Sequence, residues 1–459
     1  MFDPVDIASL VYFRIAFGAI MLWEVCRYFQ NGWIESYFIK PDFHFHFFGF
    51  EWVNPWPGAG MYVHFAALGV LALAVMIGFF YRVCATLLAV GFTFVFLLEK
   101  ANYLNHFYLI CLICFIVASL PAHRAFSVDA WRSPELQSQA APAWTLWLLR
   151  FQIGVPYFFG GIAKLNRDWL IEGEPLRTWI FDGDTTTHVG PFNAEFVVYF
   201  LSWSGLIFDL LIVPMLLWRR TRILALVLAL AFNLTNAHLF SIGIFPWFMI
   251  AATLMFFPPD WPRRLLRSVL PFGTVATRTA ASSQGSPAQT DLVRVGGFRQ
   301  CFVAVALALH VTLQIALPLR HWLYPGHVSW TEEGHCFAWH MKLRDKSGQV
   351  TFIACAPDGR MWTVDCRADL TRRQIQKMSC RPDLIHEYAR FLGRRFESQG
   401  LGEVRIHVQS LVSLNGRPPQ PIIDPAVDLA RQPVTLAAKA WILPMATEHF
   451  EAIVDADFP

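Results

Sequence analysis

The sequence predicts a polytopic α-helical membrane protein of about nine transmembrane helices with a C-terminal extracytoplasmic α+β domain. Three observations carry this expectation. The 459 residues are 55% hydrophobic and only 15% charged, whereas soluble domains carry roughly 25% charged residues. Apolar stretches recur between polar breaks, each near the length of one bilayer crossing. Beyond Pro318 those stretches stop and short strand and helix signals replace them. A net charge of +3 is too small to suggest nucleic acid, and 42 Phe with 18 Trp suit interfacial belts and flat apolar pockets. The N-terminus, MFDPVDIASL, is acidic and leads directly into the first span, unlike a cleavable signal peptide.

The expected spans are Ile7–Val25, Met61–Phe80, Val83–Leu98, Asn105–Leu120, Trp144–Ala163, Phe196–Leu217, Ile223–Phe240, Ile242–Phe257 and Cys301–Leu317. Basic residues orient them, because cytoplasmic loops are enriched in Lys and Arg. Arg82 lies between spans two and three, and His123, Arg124 and Arg132 follow the fourth. Arg219, Arg220 and Arg222 end the sixth, and Arg263, Arg264 and Arg267 follow the eighth. Only an N-terminus inside and a C-terminus outside put all four groups in the cytoplasm. Residues 1–257 then form a transmembrane helical domain and 258–299 a cytoplasmic linker; 300–317 are the last transmembrane helix and 318–459 the outer domain.

This topology gathers polar residues at the outer face: Glu99–His106 (EKANYLNH), Lys164–Asp168 and Asn233–Ser241 (NLTNAHLFS). The stretch Gly160–Trp169 (GGIAKLNRDW) is the most informative. Two glycines let another backbone approach, and Lys164 follows where an apolar helix has just ended. Such a lysine is either a snorkelling anchor or a desolvated amine that can act as a base. Asn105 and His106 read as a helix start or as site residues. Asn233, Asn236 and His238 read as interhelical glue, or the latter two as supports of a site. Asp209, inside the sixth span, needs a basic partner on another helix, with Arg14 and Arg150 as candidates. His44 and His46 (HFHF), without further histidine boxes, point to aromatic packing. Cys111 and Cys114 sit in an apolar run with no second pair and read as packing, so no metal is expected.

In the outer region Val350–Ala356 and Met361–Val364 flank a PDGR turn as a hairpin, and Asn415–Gly416 ends a second alternating run. Thr371 with Gln374 makes a capping box, and Arg381–Gln399 carries helical periodicity. Cys355, Cys366 and Cys380 leave one disulfide open, with no pairing specified. No nucleophile elbow, phosphate loop or dinucleotide fingerprint occurs, so any chemistry belongs to the membrane part.

Four segments resemble, in order, the vitamin K-dependent gamma-glutamyl carboxylases: FLLEKANYLNHFYL (96–109), PYFFGGIAKLNRDW (156–169), NAHLFSIGIF (236–245) and FFPPDWPRRL (256–265). SLVYFRIAFG (9–18), IGFFYRVC (77–84) and DPAVDL (424–429) resemble them too, so the likeness spans nearly the whole chain. Bacterial members carry the horizontally-transferred-transmembrane (HTTM) domain. The resemblance implies a lyase with epoxidase activity. In that family the lysine matched by Lys164 deprotonates reduced vitamin K, whose anion takes up O2. The oxygenated base removes a glutamate γ-proton, CO2 adds, and the quinone leaves as its epoxide. His106 matches the family histidine linked to epoxidation. Asn105, Asn236 and His238 are the candidate quinone-binding or supporting residues.

The implied partners are the lipid bilayer and a glutamate-containing peptide or protein on the outer side, and the implied location is a bacterial inner membrane. Ala163 stands where the family often has a second lysine, and Asn233 where animal enzymes carry a histidine. The chain also lacks a further outer β-rich segment of the animal enzymes, which leaves the substrate-docking surface open. A catalytically idle quinone- or lipid-binding scaffold that partners a secreted protein is the second reading.

Overall fold

The computed structural model describes residues 1–181, 194–239, 242–269 and 297–446. Its helical part comprises α1 (Ala8–Gln30), α2 (Gly60–Ile77), α3 (Tyr81–Leu97), α4 (Asn105–Ser119), the short α5 (Val128–Arg132) and α6 (Ala143–Ala163). The short α7 (Leu176–Phe181), α8 (Ala194–Leu217), α9 (Arg222–Leu239), α10 (Phe245–Thr253), α11 (Trp261–Val269) and α12 (Gly297–Leu319) follow. Strands β1 (Pro4–Asp6) and β2 (Ala140–Pro142) pair antiparallel and tie the start of α1 to the start of α6.

Among the described residues five helices, α1, α2, α6, α8 and α12, are long and apolar enough to cross a membrane. Nine full-length spans are not supported, because α3, α4, α9 and the stretch Phe245–Phe256 are shorter apolar helices. At 15 residues, α4 rises only about 23 Å, short of a hydrocarbon core of about 30 Å. The cause is local chemistry at the ends. Past the end of α3 the Glu99 carboxylate accepts from the backbone N–H of Ala101 and caps a 3₁₀ turn, and α10 begins around Pro246 and ends before Pro258. The lipid-facing assignment rests on the outer surface. On α12, Phe298, Phe302, Val305, Leu309 and Leu313 are all exposed at helical spacing, a stripe water would not favour. This is an integral membrane protein.

The C-terminal region adds α13 (Val328–Thr331), α14 (Arg372–Met378) and α15 (Pro382–Ser398) to strands β3 (Lys346–Cys355), β4 (Met361–Val364), β5 (Arg405–Leu414) and β6 (Gln420–Pro421). The antiparallel sheet runs β4-β3-β5-β6. Both expected hairpins form, the second turning through Asn415 at φ +51° and Gly416 at φ +72°. The Thr371–Gln374 capping box is made in both directions. Leu384, Ile385, Tyr388, Leu392 and Phe396 give α15 a buried face against Phe352, Ile406 and Val408. Phe43 and Phe45 join this core, which explains the HFHF segment: alternate residues turn inward, while His46 lies with Nδ1 3.2 Å from Glu387. All nine cysteines are free thiols. Residues 270–296 of the expected linker lie outside the described residues, and α11 occupies its beginning.

The C-terminal domain docks on one end of the helical bundle at two charged points. At one, Lys100 Nζ lies 2.9 Å from Asp383 Oδ2, and Arg381 donates to the Lys100 carbonyl. At the other, Arg417 forks onto both oxygens of Asp168 at 2.8 and 3.0 Å and reaches Glu172 at 2.7 Å, while Asn415 donates to Asp168. Burial would raise the Asp168 carboxyl, but the hydrogen bonds from Arg417 and Asn415 outweigh it and hold the group below its ordinary value of 3.8. The sign is that of a depressed acid: the contribution is full above the unfolded value and is lost as pH falls through the lowered one. Arg417→Ala is therefore expected to cost about 2 kcal/mol near neutrality, and its deficit should shrink below about pH 4. Thermal unfolding of wild type and variant in detergent across that range measures both.

Candidate functional site

The site is built where α6 meets α8. Gly160 and Gly161 close the α6 run, and they are what allows α8 to lie against it. A Cβ at Gly161 would stand 2.6 Å from the Leu210 side chain and 3.3 Å from its backbone nitrogen. One at Gly160 would stand 3.2 Å from Asp209 Oδ2 and 3.4 Å from Met341 Cε. The next turn presents Lys164, the residue that ends α6.

Lys164 does not snorkel to water. Its ammonium forms a direct ion pair with Asp209 Oδ2 and lies 3.4 Å from the Gly160 carbonyl. Both residues are buried, at 7% and 4% exposure. The ammonium also lies 5.3 Å from the centre of the Trp169 ring, whose Nε1–H donates to the Ser202 carbonyl on α8 at 2.8 Å. The expectation that Asp209 pairs with Arg14 or Arg150 is overturned. Arg14 donates to the carbonyls of Ala122 and Phe126, and Arg150 to those of Met255 and Phe257. Those guanidiniums satisfy carbonyls that chain ends leave open, so the span-eight helix end and not the span-six acid holds Arg150.

His106 lies near the start of α4, its ring 4.8 Å from Phe107 and 5.5 Å from Phe245. Asn105 accepts from the Tyr103 hydroxyl at 2.7 Å and donates to the His340 carbonyl at 3.0 Å. The Asn233 amide donates to the Ala229 carbonyl of its own helix at 2.8 Å, and the same side chain faces the Tyr157 hydroxyl of α6. Asn236 is half-buried and His238 exposed on α9. Among the described residues, no hydrogen bond or ring contact joins either to Lys164, His106 or Asn105.

Sequence reasoning missed the segment that links the two halves. Residues 332–343 leave the C-terminal domain and enter the end of the bundle. Trp339 is buried in the membrane core, its ring 5.1 Å from Tyr108. Met341 reaches Gly160, and the neighbouring His340 carbonyl takes the Asn105 bond. Glu332, Phe337, Trp339 and Lys342 all carry positive φ, uncommon for side chains this large and a mark of functional segments. The signal available was the apolar patch Cys336–Trp339 between charged and histidine residues; the left-handed backbone has no sequence signature. A recess of about 550 Å³ lined by Arg14, Met76, Phe126 and Trp131 belongs to the opposite end of the bundle and is not part of this site. No group of three metal-ligating side chains occurs among the described residues.

Fold and site define a polytopic helical membrane protein whose C-terminal domain completes a buried charged site at the end of the bundle. Residues 2–261 match the HTTM domain family, and residues 299–448 match the vitamin K-dependent gamma-carboxylase lumenal domain. The chain belongs to the vitamin K-dependent gamma-glutamyl carboxylase family. No solved structure matches it.

Removing either member of the Lys164–Asp209 pair leaves the other charge buried without a partner, a loss of about 3–5 kcal/mol. Lys164→Met and Asp209→Leu are each expected to lower thermal stability strongly, and the double variant less than the sum of the two. A double-variant cycle in detergent reads this coupling.

Proposed function

We propose that this chain is a vitamin K-dependent gamma-glutamyl carboxylase with epoxidase activity, and that Lys164 coupled to Asp209 accepts the hydroquinone proton. The observation that carries the reading is the buried Lys164–Asp209 pair at a helix crossing thinned by two glycines. An isolated lysine would have to stay neutral to be a base; the pair does not. Lys⁺ with Asp⁻, or neutral amine with carboxylic acid, each takes up one proton to give the same product. Uptake leaves one net positive charge on the pair, which dry surroundings accept only beside the negative charge left on the hydroquinone.

The aromatic residues near His106 are of the kind that stack on a flat hydroquinone. Tyr28, Phe96 and Phe107 line a recess of about 20 Å³ next to the His106–Phe107 ring contact, so a ring would enter only as these side chains part. On the Lys164 face of α6, two turns back, the Tyr157 hydroxyl is buried without a hydrogen-bond partner. Its neighbours Asn233 and Thr253 direct their donors to carbonyls of their own helices. When bound, reduced vitamin K supplies the electrons that activate O2. Lys164 and Asp209 hold the proton, Tyr157 and His106 offer hydrogen bonds to the ring oxygens, and Asn105 fixes the start of α4 so that His106 faces the site. Asn236 and His238 would support the ring from α9.

The finer topology belongs to the same proposal. The four shorter helices would cross beside the five long ones, giving nine crossings with the N-terminus cytoplasmic in a bacterial inner membrane. A glutamate-containing peptide or protein would then reach the site from the side of the C-terminal domain, and CO2 would add to it there. The saturated ion pair also suits the idle quinone- or lipid-binding scaffold, where it would serve folding alone.

Purified protein given reduced vitamin K and O2 separates the two. The enzyme reading expects epoxide, lowered at least about 100-fold in Lys164→Ala, and labelled CO2 in a glutamate-containing peptide. A folded wild type that binds the quinone and forms no epoxide would establish the scaffold.

A further inference from the structure

Each reaction cycle on the proposed reading leaves one proton on a buried pair with little access to water. A path for that proton has to exist, and polar side chains outside the pair mark one. Four histidines gather where the inserted segment meets the end of α12: His321, His327, His335 and His340. The His340 ring stands 4.8 Å from His321, nearly perpendicular to it, and 5.4 Å from His335. His335 and His340 are both 7% exposed, whereas His321 and His327 are half-buried and closer to solvent.

Their nitrogens are unusually free. His340 Nε2 and His327 Nδ1 are buried and have no hydrogen-bond partner. His321 Nδ1 is 2.7 Å from the Pro318 carbonyl and so carries the hydrogen, which leaves Nε2 as the acceptor. Buried polar atoms are normally satisfied by protein or by ordered water. Two such nitrogens beside the acceptor Nε2 of His321 point to a chain of donors and acceptors, not to packing.

The segment that carries the cluster reaches the helix crossing of the pair. Met341, the residue after His340, brings its methyl to Gly160, the point that Asp209 Oδ2 also reaches. The charged groups facing the cluster are Arg320 from the end of α12, Glu332, Arg344 and Lys346 from the segment and β3, Arg381 from the start of α15, and Asp168 with Arg417 on the His327 side. Glu332 Oε2 lies 3.8 Å from His335 Nδ1 and is itself held by Arg344 and by Lys346. Burial, with His321, Arg344 and His327 nearby, pushes the His340 imidazole down to about 3, and burial with Arg344 pushes His335 well below its ordinary range. Rings that rest neutral take a proton only in passing, as a relay requires and a trap does not.

We propose that His340, with His335 and His321, forms a proton relay from the Lys164–Asp209 pair to the solvent on the side of the C-terminal domain. The proton arrives at the free Nε2 of His340, through water across the gap beside Met341. His340 gives up the proton on its other nitrogen to the next ring. His321, whose Nδ1 hydrogen stays on the Pro318 carbonyl, takes and releases a proton at Nε2, so that one leaves it for each one accepted at the pair. Every histidine returns to neutrality. The inference rests on the base assignment made above.

The test needs no turnover. Wild type in detergent is mixed with reduced vitamin K without O2, and a pH-indicator dye follows proton release. Wild type is expected to release one proton per site, and His340→Asn and His335→Asn to release it about 100-fold more slowly. Added imidazole should restore most of that rate, which a misfolded variant could not show, and His340→Gln serves as a second variant. Release at the wild-type rate in both variants overturns the relay, as does a slowed release that imidazole leaves unchanged. No release from a wild type whose bound hydroquinone stays neutral by its absorption sinks the base assignment and the relay with it, whereas an ionised hydroquinone without release overturns the relay alone.

Discussion

An ammonium and a carboxylate can share an apolar helix crossing only in contact, because either one alone in that surrounding costs several kcal/mol. That requirement sets the geometry of the bundle where the chemistry is placed. Lys164 leaves α6 at its last turn, so Asp209 must arrive from α8 within bonding range, and α8 can come so near only over Gly160 and Gly161. A side chain at Gly161 would meet Leu210, including its backbone. The glycines, the lysine and the aspartate are thus one device, and Trp169, tied to Ser202, closes its open side.

The C-terminal domain is the second half of the site. Arg417 and Asn415 grip Asp168, four residues beyond Lys164, so the domain is fastened to the segment that carries the lysine. From the same domain, residues 332–343 put Trp339 into the membrane core and Met341 against Gly160. The positive φ values along that segment are held by packing on both sides. A change in the docking surface therefore acts on the charged pair through a short, stiff connection.

Much of this was legible in the sequence. Composition marks the membrane class, because a bilayer removes the need for charged surface. The hairpins and the capping box are local, and Asn415–Gly416 and Thr371–Gln374 announce them within a few residues. Lys164 stood out as a cation at an apolar helix end. Asp209 also stood out, yet its partner did not, since pairing depends on which helices neighbour each other and not on the identity of the charges. Arg14 and Arg150 were equally suitable by charge and are occupied by backbone carbonyls. Span length was overread for a related reason: an apolar run such as Asn105–Leu120 fixes hydrophobicity, whereas helix length depends on where end groups find bonds. The inserted segment was not legible, because left-handed backbone at Phe337, Trp339 and Lys342 follows from tertiary contact alone.

The central claim is that the Lys164–Asp209 pair takes a proton from a bound hydroquinone. The near-ultraviolet absorption of reduced vitamin K distinguishes its ionised from its neutral form, so it can be read in the bound state without O2. The account predicts an ionised hydroquinone on the wild type near neutral pH and a neutral one on Lys164→Met at equal occupancy. A bound hydroquinone that is neutral on both proteins would contradict it.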